Sequence, residues 1–138
     1  MRLALALATA LLAWPASAQQ TSGSIEIESM MEGRKTITPN WQAINALPLG
    51  DKGNPVRVYM PPGQRDYLSR LVCYDGSRPE FDRIGSFGPG PYGTIIDAFN
   101  VACGTIVDRV FMDMYHPRYV ERRPVKGFTI IPLPPAPR

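Results

Sequence analysis

His116 is the only histidine in the 138-residue chain, so any imidazole chemistry must run through it. With Asp113 and a hydroxyl from Ser86 or Tyr115 it has the composition of a hydrolytic triad. Asp97 with Asp113 has that of a glycosidase carboxylate pair. The sequence gives no separation for the carboxylate pair, and nothing local supports the triad. Ser86 lacks the G-x-S-x-G elbow that exposes a nucleophile. On a strand, Asp113 and His116 have opposite parity and point to opposite faces, unless a bend before Pro117 changes this. Gly88-Pro89-Gly90-Pro91-Tyr92-Gly93 formally satisfies G-x-G-x-x-G. That motif holds a pyrophosphate on backbone N–H groups at a helix start, and Pro89 and Pro91 have none to offer. The segment reads instead as a tight turn stiffened by its prolines, a rigid loop able to display Tyr92 to a partner. No cofactor is expected.

Met112, Met114 and His116 would share one face of a strand. Soft thioethers with an imidazole suit Cu(I). The spacing resembles the methionine-rich patches of periplasmic copper-binding proteins, and the resemblance, confined to these three residues, implies a copper carrier. Ile106 and Val110 have the same parity, and methionine is a routine core filler. The alternation therefore favours methionines packed beneath a helix, and joint exposure of the three would discriminate the metal reading. Asp97 and Arg83 fall close together on an otherwise apolar face with Phe81, Phe87, Ile95, Phe99 and Val101. A charge there is costly unless paired, which predicts a partly buried structural ion pair.

The elements that must position these groups form an α+β pattern. Asn40 caps a short helix through Trp41, Ile44 and Leu47, ended by Pro48. A Pro/Gly-rich connection around a strand at Val56–Met60 follows. From Gln64 to Val72 the period is helical, with Tyr67, Leu68, Leu71 and Val72 on one face and Asp66 in the first turn, where the helix dipole favours it. Strand-like runs occupy Phe81–Phe87, Thr94–Cys103 and Ile106–Tyr115, with hairpin signals at the Gly/Pro turn and at Gly104-Thr105. Pairing Phe87 with Ile95 sets Phe81 opposite Val101 and Arg83 opposite Phe99. The expectation is a small antiparallel meander of three or four strands, with the 64–72 helix on one face and Phe128–Ile131 as the added strand. Ile25–Glu28 alternates like a short edge strand.

Residues 1–18 read as a cleavable signal peptide: Met1-Arg2, an apolar run to Trp14, Pro15, then the small-x-small Ala16-Ser17-Ala18. Residues 19–24 form a polar leader, 25–131 a single domain, and 132–138 a Pro-rich tail of polyproline II type. Cleavage lowers the lysine and arginine count from 15 to 14 against 12 acids, a net charge of +2. That balance excludes nucleic acid as a partner, since such binding needs many phosphate contacts. The apolar run is too short for an anchor remaining after cleavage. Cys73 and Cys103, the only cysteines, are expected to form one structural disulfide in an oxidising compartment. The sequence thus points to an exported, non-enzymatic binding protein, periplasmic or secreted, whose partner is an envelope protein or glycan. A Cu(I) protein using Met112, Met114 and His116 and a small hydrolase using Asp97, Asp113 and His116 are the alternatives.

Overall fold

The Asn40 carboxamide oxygen accepts the backbone N–H of Ala43 at 3.1 Å and so caps helix α1, Trp41–Asn45, which closes ahead of Pro48. The structure, a computed structural model, describes residues 37–134. The expected signal peptide at 1–18, leader at 19–24 and edge strand at Ile25–Glu28, with the last four residues of the expected Pro-rich tail, lie outside the described residues.

Strand β1 is only Val56–Arg57, and helix α2 follows at Met60–Ser69. The helix begins four residues before Gln64 because Pro61 and Pro62 occupy its first turn, where a missing N–H costs nothing. Asp66 consequently lies beyond the first turn, out of reach of the dipole end that the sequence had assigned it. The helix also ends earlier. Leu71–Val72 form strand β2, whose partner is β6, Thr129–Ile130. Apolar side chains at 67, 68, 71 and 72 suit a helix face, yet the backbone of the last two is taken by cross-strand pairing with β6.

Strands β3 (Glu80–Pro89), β4 (Ile95–Cys103) and β5 (Ile106–Asp113) form the antiparallel meander. Gly104, at φ +61°, supplies the left-handed residue of the tight β4–β5 turn. Phe81 faces Val101 and Arg83 faces Phe99, but Pro89, not Phe87, pairs with Ile95. Irregularities between Arg83 and Gly85 and between Ser86 and Pro89 shift the register. Phe87 meets Phe111 edge-on at 5.5 Å, and Ile95 is exposed. The single apolar face containing Phe87 and Ile95 is thereby corrected. The fourth strand is also different: β1 pairs parallel to β5, giving the order β1-β5-β4-β3, whereas Thr129–Ile130 belongs to the separate β2–β6 ladder.

The core lies between α2 and one face of the large sheet. Tyr67, Leu68 and Leu71 pack with Val56, Phe99, Val101, Val110 and Met112, closed by Val125 and Phe128. The Cys73–Cys103 disulfide, with Cα atoms 5.8 Å apart, ties the chain after β2 to the end of β4. The architecture is α+β with one disulfide. Among the described residues, no helix is long and apolar enough to cross a membrane.

Candidate functional site

Strand alternation divides the residues of chemical interest between the two faces of the sheet. Asp97 is directly opposite Met112 and shares its face; Asp113, the next residue, projects the other way. Met112 is fully buried in the core. Met114, one residue past β5, lines a 360 Å³ pocket with Gln64, Phe81, Arg83, Asp97 and Phe99. His116 departs from both. Its N–H donates to Val58 O at 3.1 Å, its carbonyl accepts from Tyr119, and its Nε2 lies 3.3 Å from Asp113 Oδ2. The chain bends after β5, so Asp113 and His116 meet despite their opposite parity. The structure joins His116 to Asp113 and leaves Met112 beneath the helix.

Asp113 is wholly buried and accepts hydrogen bonds from the Thr94 hydroxyl and from Tyr115 N–H, the latter at 3.0 Å. The Tyr92 ring stands edge-on to His116, with centroids 4.9 Å apart. Burial pushes the Tyr92 hydroxyl above its ordinary range. Ser86 is engaged elsewhere: its hydroxyl donates to Asp97 Oδ1 at 2.9 Å and accepts Arg83 Nη2 at 2.9 Å. Asp97 and Asp113 therefore face away from each other, and Ser86 sits with the first while His116 sits with the second.

Beside the Asp113 cluster is a surface that the sequence did not assemble. Arg57 pairs with Asp113 across the β1–β5 ladder. Its guanidinium lies 3.9 Å from the Tyr119 ring centroid, 5.2 Å from that of Trp41 and 5.7 Å from that of Tyr92. Trp41 and Tyr92 are themselves in contact, with centroids 5.7 Å apart and planes tilted by 50°. Trp41 is 46% exposed; Arg57, Tyr92 and Tyr119 are half-buried. Each comes from a different segment, so local spacing carries no sign of the cluster. Only Tyr92 was legible, as a residue displayed by a Gly/Pro turn.

That turn holds Tyr92 firmly. Gly90 N donates to Thr94 O at 2.7 Å, and Gly93 adopts φ +78° with Ile37 Cδ1 only 2.6 Å from where a Cβ would lie. No family model matches this chain, and no curated protein or solved structure does either.

Two further acids hold the framework around these faces. Asp97 accepts Arg83 Nη2 at 2.7 Å, Ser86 Oγ at 2.9 Å and Gln64 Nε2 at 3.0 Å, joining β3, β4 and α2. Glu121 accepts the Tyr119 hydroxyl at 3.1 Å and two N–H groups of the Arg123 guanidinium, at 3.0 and 2.9 Å. Arg123 is thus bonded to a buried carboxylate, although much of its side chain remains exposed.

Burial alone would raise both acids. Hydrogen bonds from Arg83, Gln64 and Ser86 outweigh it at Asp97, and those from Arg123 outweigh it at Glu121, so both titrate below their usual range. A depressed folded-state pKa stabilises the fold above the unfolded value, and that contribution is lost as pH falls through the folded one. Thermal midpoints should therefore be level from neutrality to about pH 5 and fall steeply below about pH 4. In the double variant Asp97→Asn/Glu121→Gln the acid slope should be shallower. An unchanged slope would remove both acids from the account.

Proposed function

We propose that the chain is an exported, non-enzymatic binding module of the periplasm or the extracellular medium. Its partner is an envelope macromolecule, engaged through the surface formed by Trp41, Arg57, Tyr92 and Tyr119. The observation that carries this reading is that stack of rings around one guanidinium, with the indole nearly half exposed. Aromatic side chains and arginine supply most anchoring contacts at interfaces, because they bury much area for little lost rotamer freedom. Export is supported by the leader pattern of residues 1–18 and by a disulfide suited to an oxidising compartment. The hydrolase alternative draws less support, since Asp97 and Asp113 lie on opposite faces and each is held in internal hydrogen bonds. The copper alternative needs Met112, which packs in the core.

The test is capture from cell-envelope extract, with the secreted chain and its Trp41→Ala variant as paired baits. A specific component should be retained by the first and lost by the second. Equal retention by both baits, or turnover of generic ester or glycan substrates, would overturn the reading.

A further inference from the structure

We infer that the Arg57 surface recognises an acidic saccharide: a pyranose ring stacks on Trp41 while its carboxylate meets the guanidinium edge. The inference rests on the binding role proposed above and adds the chemistry of the ligand.

The first ground is the unused fork of Arg57. Arg83 and Arg123 spend their guanidinium groups on Asp97 and Glu121. Arg57 lies over ring faces, and among the described residues it pairs with no carboxylate and donates to no acceptor. Stacking uses the faces of a guanidinium and leaves its in-plane N–H groups to project outward, the arrangement that binds a carboxylate through two parallel hydrogen bonds. Partial burial strengthens such a contact relative to one in open water.

The second ground is the platform beside it. Trp41 is the first residue of α1, fixed by the Asn40 cap, and leans on Tyr92. Tyr92 is held in turn by the Gly/Pro turn and by the His116 ring, which lies nearly perpendicular to it. Little ordering remains to be done on binding, which favours a small ligand. A pyranose presents an apolar C–H face to an indole and polar groups at its rim, matching an exposed ring beside a guanidinium. An acidic peptide fits less well. β1, the strand carrying Arg57, is two residues long, too short an edge to add a peptide strand, and the fork of a single arginine answers one carboxylate better than a run of them.

Trp41 reports on its own site. The chain has two tryptophans, and Trp14→Phe in the full chain makes Trp41 the sole indole whether or not the leader is removed. The probes are trigalacturonic acid, neutral galactotriose and triglutamate, titrated against Trp41 emission. Trigalacturonic acid should give a saturable change and bind at least about tenfold more tightly than either control. Arg57→Lys, which keeps the charge and stem but not the fork, should weaken it about tenfold, with melting and far-UV dichroism unchanged.

Equal binding of galactotriose would show that the carboxylate is not read. Preference for triglutamate would make the ligand an acidic peptide, and silence from all three probes to about 10 mM would leave no saccharide site. Each of these overturns the inference. If all probes fail while the Trp41→Ala bait still loses its envelope component, the binding role survives and only the saccharide is wrong.

Discussion

Reducing the Cys73–Cys103 bridge should lower the unfolding free energy by about 3–4 kcal/mol, the chain-entropy value for the loop closed by a separation of 30 residues. Small domains are stable by roughly 5–15 kcal/mol, so this is a large fraction of the whole. The bridge ties the chain after β2 to the end of β4, and Cys73 is buried against the core. Much of the constraint acts on the unfolded chain, which becomes less free when cross-linked. The measurement is a denaturant titration of the purified protein with and without reductant, alongside the Cys73→Ser/Cys103→Ser variant. A midpoint shift equivalent to less than about 1 kcal/mol in both would mean that the core holds these strands without the bond.

Asp97→Ala should cost about 2–4 kcal/mol. The mutation removes the acceptor shared by Arg83, Ser86 and Gln64. Arg83 is half exposed and can turn to water, which limits its share of the loss. Gln64 cannot. It is buried on the inner face of α2, and its amide would be left without that acceptor beneath the helix. Asp97→Asn keeps an acceptor oxygen and should recover about half of the loss. Equilibrium unfolding of the two variants checks the order. An alanine variant within about 0.5 kcal/mol of wild type would show that the network contributes nothing net.

The places where sequence reasoning succeeded and failed share a physical logic. The Arg83–Asp97 contact could be anticipated because hairpin register is a local property: two strands joined by a short turn have few ways to pair. Beyond Arg83 the register slipped, since irregularities within β3 insert residues that no alternation of side chains announces. Helix α2 was displaced for a related reason. The Pro-Pro pair reads as a connection, although proline is well tolerated in a first helical turn. Met112 followed the core alternation, whereas His116 escaped it by lying beyond the end of the strand, where the side-chain period of two no longer applies.

What residue order alone determined is whatever depends on neighbours in the chain: the Asn40 cap, the helical period through Leu68, the hairpins, and the acid that needed a partner on an apolar face. The disulfide joins that group because only two cysteines exist to pair. Tertiary structure decided the parallel docking of β1 on β5 and the meeting of Asp113 with His116. It also gathered Trp41, Arg57, Tyr92 and Tyr119 from four segments around one cation. Such contacts are set by backbone pairing between distant strands and by the space left around a packed core. Those are properties of the folded whole, and no spacing of residue types along the chain encodes them.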